Sequence, residues 1–350
     1  MRKQYLRPFA LAYGSDARKA ISEGRAGRLG GSSWICFHQT EIILREGSKI
    51  SRQFAAYGDL PRDENLAAFE APRPPVGGLG FDQPVVMGIV NVTPDSFSDG
   101  GLNVRAEDAI IHGRSLTEEG AQILDVGGES TRPGSEGVEQ DEELGRVLPV
   151  IEGLAGAGLL VSCDTRKPEV MRAAVRAGAA IINDVSALQH DPQGAVTIAE
   201  LGCPAVLMHA QGDPKTMQLS PSYEDVALDV FDALAARVAA CVTAGISRGN
   251  ILVDPGIGFG KTFRHNLDVL NQLTLFHGLG VPVLVGLSRK GFVGALTGEK
   301  AAAQRVHGSV GGAVHAALNG AHILRVHDVK ATVAALAVAL AAADPDSSGL

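Results

Sequence analysis

Eight short apolar runs, most of them rich in β-branched residues and each ending in polar ones, follow one another from residue 85: VVMGIVNV (85–92), QILDVGG (122–128), LLVSCDT (159–165), AIINDVS (180–186), AVLMHA (205–210), ILVDPG (251–256), VPVLVG (281–286) and HILRVHD (322–328). A run that is apolar throughout suits a strand covered on both faces. Between the runs lie helical stretches such as DAIIHGRSLTEEG, EELGRVLPVIEGLAG, PEVMRAAVRAG, EDVALDVFDALAARVAACVTAG and GGAVHAALNG, several ending on the glycine that stops a helix. Eight strands alternating with helices over about 265 residues is the count of a closed (β/α)8 TIM barrel. An open doubly wound sheet is the alternative.

The remainder of the chain does not follow this repeat. Residues 1–80 read as an N-terminal extension, 81–343 as the barrel and 344–350 as a frayed tail. Within the extension, SSWICFHQTEIILREG predicts one or two strands, and APRPPVGGLG (71–80) reads as a Pro/Gly linker. Its plainest reading is a small cap or flap on the closed end of the barrel or on a neighbouring subunit.

Charge narrows the partners. Residues 1–80 hold 12 Lys+Arg against 8 Asp+Glu, leaving 19 against 31 in the rest of a chain of net charge −8. An acidic body argues against nucleic acid, whose phosphates need a basic face. No run of 18 or more uncharged apolar residues appears, and charges interrupt the N-terminus where a signal peptide would be apolar. A soluble cytoplasmic protein is expected. Cys36, Cys163, Cys203 and Cys241 lack CxxC spacing and read as reduced, buried thiols.

Polar residues recur at one end of the runs: Asn91, Asp125, Asp164, Asn183, His209, Asp254, Ser288 and His327. In a barrel the carboxyl ends of the strands converge on one mouth, where such enzymes place their chemistry. Each residue alone could be a helix cap or a rim hydrogen bond; the mixture of acids, amides and bases is harder to explain that way. Asp164, Asn183 and Asp254 suit a flat heterocycle bearing adjacent N–H and amino groups. Arg289 and Lys290 after the seventh run, with Arg325 and His327 on the eighth, supply cations where barrels commonly bind phosphate.

The segments NVTPDSFSDGG (91–101) and GGESTRPGS (127–135) have the composition of binding loops or lids. Asn91 is a candidate oxygen ligand for Mg2+, which would be shared with substrate phosphates. DPGIGFGKT (254–262) ends like a P-loop, but Pro255 stands where that motif needs glycine. Its glycines instead let backbone approach a planar ligand, with Phe259 placed to cover a ring and Met208 as a pocket wall.

Taken together, MGIVNVTPDSFSDGG, ILDVGGESTRPGS, SCDTRKPEV, IINDVSAL, LMHAQGDPKTMQ, LVDPGIGFGK, LVGLSRKGFVG and GAHILRVHDV resemble the motif set of bacterial dihydropteroate synthases, in family order over residues 85–330. The resemblance implies condensation of 6-hydroxymethyl-7,8-dihydropterin diphosphate with p-aminobenzoate in folate synthesis, and a sulfonamide target. It assigns the pterin to Asp164, Asn183, Met208, Asp254, Phe259 and Lys290. It assigns the diphosphate and Mg2+ to Asn91, Thr131, Arg325 and His327, and p-aminobenzoate to Thr131, Arg132, Pro133, Phe259, Ser288 and Lys290. Asp164, Lys290, Arg325 and His327 are the implied catalytic set, and a homodimer the implied assembly. The chain departs from many family members at Gly291, where they carry serine. Rival readings are a pterin-binding methyl-transfer subunit and a catalytically silent pterin-binding paralogue.

Overall fold

The computed structural model describes residues 2–92, 102–130, 137–212 and 216–347. Its first part is a sheet that the sequence only partly announced. β1 (Arg2–Tyr13) leads into α1 (Gly14–Ser22), β2 (Gly27–Arg28), β3 (Ile35–Glu46), β4 (Lys49–Ala56) and α2 (Glu64–Glu70). β3 is the central strand, with β1 antiparallel on one side and β2 and β4 on the other. The expected one or two strands in SSWICFHQTEIILREG are one strand, β3. β1 is not visible as a strand in the sequence because Pro8 lacks an amide proton and interrupts its polar/apolar alternation; on this edge strand such a residue is tolerated where no ladder bond is needed.

Over β1 and β3 both faces of this sheet are covered, while most of β4 is exposed. Leu6, Trp34, Phe37, Tyr57 and Phe69 form a core of its own, while Tyr5 and Ile43 pack with Ala227, Leu228 and Leu275 of the barrel. Beneath it Gly30, at φ +63°, passes so close to His277 and His322 that a Cβ would lie 2.8 Å from His277 Nδ1. His322 Nε2 donates to the Gly30 carbonyl (3.0 Å), and Arg73 donates to the carbonyls of Ala68, Ala71 and His277.

The barrel follows: β5 (Val85–Asn91), α3 (Leu102–Glu118), β6 (Ile123–Gly127), α4 (Gln140–Ala155), β7 (Val161–Asp164), α5 (Pro168–Arg176), β8 (Ile181–Asp184), α6 (Gly194–Leu201), β9 (Ala205–Met208), α7 (Val226–Thr243), β10 (Ile251–Asp254), α8 (Phe263–Asn271), β11 (Leu284–Val285), α9 (Gly291–Thr297), α10 (Val306–Leu318), β12 (Ile323–Val326) and α11 (Val329–Ala343). The strands run parallel in the order β10-β9-β8-β7-β6-β5-β12-β11, and a single bridge between Val253 and Val283 closes the ring. This is the expected TIM barrel, not the open sheet.

The strands carry two apolar faces because each is sandwiched. One face looks outward to the helices. The other fills the barrel with Val85, Met87, Ile123, Ile181, Val206, Leu252, Leu284 and Ile323. The expected linker is part of that filling: Val76 and Leu79 pair across a two-residue turn at Gly77 (φ +57°) and Gly78 (φ +83°), and Val76 packs into the barrel floor. The tail also differs from expectation at its first residue. Asp344 is buried and accepts two bonds from the Arg18 guanidinium (2.6 and 2.9 Å), tying the end of α11 to α1.

Candidate active site

Side chains on a strand alternate between its faces, so the residue two beyond an interior apolar one also points inward. That rule places the polar set. Ile123 is followed by Asp125, Ile181 by Asn183, Leu252 by Asp254, Val206 by Met208 and Ile323 by Arg325, all one layer nearer the strands' carboxyl ends. Register keeps them level: Asp164 pairs with Asn183 and Met208 with Asp254.

At the centre of this layer Arg325 bridges two carboxylates. Its Nε donates to Asp125 Oδ2 (2.6 Å) and its Nη2 to Asp164 Oδ2 (2.8 Å), and Asn183 Nδ2 donates to the same Asp125 oxygen (2.9 Å). One guanidinium therefore serves two acids. Burial raises the proton affinity of Asp164, opposed by Arg325 and reinforced by Asp125, Asp184 and Glu143. Burial works against the charge on Arg325, but the two acids more than compensate and hold it protonated.

The turn after β10 makes the facing wall. Asp254 Oδ1 accepts the Gly256 amide (2.7 Å), and the chain then turns through Gly256, Gly258 and Gly260, all at positive φ. The Lys290 ammonium lies 4.4 Å from the centre of the Phe259 ring and donates to the Ile257 carbonyl. Burial pushes Lys290 down to about 8, against the pull of Asp254. Lys261, almost wholly buried, holds the turn from behind, donating to the carbonyls of Gly256 (2.9 Å) and Phe259 (3.1 Å) and meeting His209 Nδ1 (3.0 Å). Burial lowers Lys261 to about 7 and, with Lys261 beside it, His209 to about 3.

Of the residues singled out by sequence, Asn183, Met208, Asp254, Phe259, Ser288, Lys290, Arg325 and His327 line one cavity, and Asp164 adjoins it through Arg325. Ser288 Oγ sits 3.1 Å from His327 Nδ1 and accepts the His327 amide (3.2 Å). Asn91 ends β5, level with Gly127. Thr131, Arg132 and Pro133 lie outside the described residues, as does 93–101 of the first loop. Arg289 is a correction: at φ +59° it turns its guanidinium to Asp328 (3.0 Å) and takes no place in the cavity.

Two further buried residues belong to the site. Asp125 stands among the strand-end residues, and its place two after Ile123 is the signal that turns it inward. Lys261 has no such signal, because nothing local in sequence marks a lysine that caps backbone carbonyls.

The family model described as "Pterin binding enzyme" matches residues 87–327. Dihydropteroate synthase of Escherichia coli K12 is 49% identical over 261 residues, covering 74% of this chain and 92% of that protein. The chain belongs to the dihydropteroate synthase family. A structure of the Xanthomonas albilineans dihydropteroate synthase with 4-aminobenzoic acid superposes with a TM-score of 0.73 at 52% identity, covering 78% of this chain and 98% of that one. A second, from the same organism with 7,8-dihydropteroate, gives 0.69 at 47% identity over the same shares. Nearly the whole of each of those two chains is thus matched by about three quarters of this one, and the family match begins only at residue 87. Among the described residues, no helix is long and apolar enough to cross a membrane.

Proposed function

We infer that this chain is a dihydropteroate synthase, joining 6-hydroxymethyl-7,8-dihydropterin diphosphate to p-aminobenzoate with release of pyrophosphate. The observation that carries this is the cavity in which Asn183, Asp254 and Lys290 meet Met208 and Phe259, with Arg325 and His327 at its side. Carboxylate and amide acceptors fit the N–H-rich edge of a pterin, and the thioether and phenyl ring fit its faces.

The reaction breaks the bond from the pterin methylene to the diphosphate oxygen, and the electron pair leaves with the diphosphate. The delocalised cation left on the pterin is captured by the lone pair of the arylamine, which then sheds a proton. A neutral aromatic amine needs no strong base. Asp164 stabilises the cationic pterin by Coulomb attraction in a site shielded from water, and Arg325, His327 and Lys290 oppose the charge growing on the leaving group.

Arg325 is already paired with Asp125 and Asp164, and Lys290 and Lys261 lie close enough to Asp254 to act on it, so the described interior offers little uncommitted positive charge to a polyanion. A diphosphate would have to bring a counter-ion, and Mg2+ fits: the Asn91 amide supplies one oxygen donor and the diphosphate the others. When bound, Mg2+ would withdraw electrons from the leaving group. Thr131, Arg132, Pro133 and Ser288 complete the p-aminobenzoate pocket in this reading.

The enzyme works in the cytoplasm, where its four cysteines, all unpaired and buried, remain reduced. It pairs as a homodimer through α8, α9 and α10, where Leu267, Phe292 and Leu296 line an apolar groove of about 330 Å³ and Leu296 is 58% exposed. Pyrophosphate release from the two substrates, with and without Mg2+, tests the activity. Binding of the pterin without turnover would return the silent paralogue, and methyl transfer from a methylated folate the other rival.

A further inference from the structure

The N-terminal sheet meets the barrel beside the wall of the pterin pocket. Arg45 of β3 donates to Glu224 (2.6 Å) and Asp229 (2.5 Å), and Arg52 of β4 to Asp225 (2.8 Å). These three acids surround the first turn of α7, where Asp225 caps the Leu228 amide and Asp229 accepts the Glu224 amide. The residue just before them is Tyr223, whose hydroxyl donates to the Gly260 carbonyl (2.7 Å). Gln218 from the same segment donates to the Gly258 carbonyl (2.6 Å). The far side of α7's anchor is therefore the glycine turn that carries Phe259.

That turn has reason to need an outside restraint. Three glycines at positive φ have wide conformational freedom, and their order rests on carbonyls held from elsewhere. A Cβ at Gly260 would lie 2.6 Å from the Gln211 carbonyl, so the turn is also packed closely against Gln211. Without the arginines, three carboxylates within six residues would repel one another and the segment would relax outward. Both arginines precede residue 87, where the family match begins, so this support belongs to the extension of this chain.

We propose that Arg45 and Arg52 are positioning residues for the pterin pocket, holding Glu224, Asp225 and Asp229 so that Tyr223 fixes the Gly260 carbonyl and thereby the Phe259 wall. This rests on the condensation inferred above, so wild-type turnover is measured first on the full chain; its absence sinks that reading and not this one. With p-aminobenzoate saturating, Arg45→Met/Arg52→Met should raise KM for the pterin diphosphate about fivefold and change kcat less than about twofold, the pattern of lost uniform binding. Tyr223→Phe should do the same, and adding it to the arginine pair should bring no further rise, because the three act along one path. Lys3→Met, which breaks the bond to Asp232 further along α7, docks the same sheet but should leave KM unaltered. An unchanged KM in an active arginine variant overturns the proposal. So do effects of the arginines and Tyr223 that multiply, or a Lys3 variant as impaired as they are. Should the double variant not fold, Arg45→Lys, which can meet only one of the two acids, should give an intermediate KM; a wild-type value there overturns the proposal equally.

Discussion

Arg325 Nε lies 2.6 Å from Asp125 Oδ2, an oxygen that also accepts from Asn183. Asp125 thus aims the guanidinium at Asp164 and orients the amide in the same stroke. Asp125→Asn keeps the shape but weakens both bonds, at a cost of about 1.5–3 kcal/mol in transition-state binding, or ~10- to 150-fold in kcat/KM. Steady-state kinetics decide it; a loss under about threefold would mean Arg325 holds its place without this acid. Asp164→Asn should instead lose far more in turnover than in diphosphate affinity, and equal losses in the two would remove Asp164 from its role beside the cation.

Lys290 gives the reaction a basic limb. Burial lowers it to about 8, so its ammonium is present below that pH and is lost above. kcat/KM should therefore fall as pH rises through about 8, and the fall should vanish in Lys290→Arg, whose charge persists. A fall that survives in the variant assigns the limb to another group.

The seam under the N-terminal sheet is acid-sensitive. Burial holds His277 down to about 4 and His322 well below the ordinary imidazole value, with Arg73 opposing both protonations. Below the ordinary imidazole value of 6.5 the unfolded chain takes up a proton that the folded one resists. Stability present at neutral pH is therefore lost as pH falls from 6.5 to 4, by up to about 3 kcal/mol for His277. Melting at pH 7 and pH 4.5 should show a drop that His277→Gln reduces; an equal drop in both proteins would place the sensitivity elsewhere.

Gly291 opens α9 with no atom within 4 Å of where its Cβ would be, and its φ is ordinary. Gly291→Ser, restoring the residue that many family members carry, should fold without strain. An added hydroxyl at the start of that short helix should lower KM for p-aminobenzoate and tighten sulfonamide binding, both readable by inhibition kinetics. No change in either would show that the backbone amides already suffice.

The barrel was legible because its strands are covered on both faces and so stay apolar for their whole length, and period two then fixed which of their polar ends face inward. Asp164, Asn183 and Asp254 stand out in sequence as polar residues at strand ends, and Arg325 as a cation on the last strand. What position along a strand lacks is partners: it offers Arg289 and Arg325 as equal cations, while the fold gives the first to Asp328 and sets the second between two acids. The N-terminal sheet was harder to see because its strands carry charges that find partners on α7, and a charge bound for a partner far along the chain looks in sequence like one bound for water.

The Val76–Leu79 turn bears on where this chain can be divided. The sequence places a border at residue 80, as though the extension could be removed like a tag. A cut there takes away the stopper of the barrel floor, exposing Val85, Met87 and Ile123 from below. A free-standing catalytic fragment has to begin before Val76, and the arginines that steady its pocket would still be left behind.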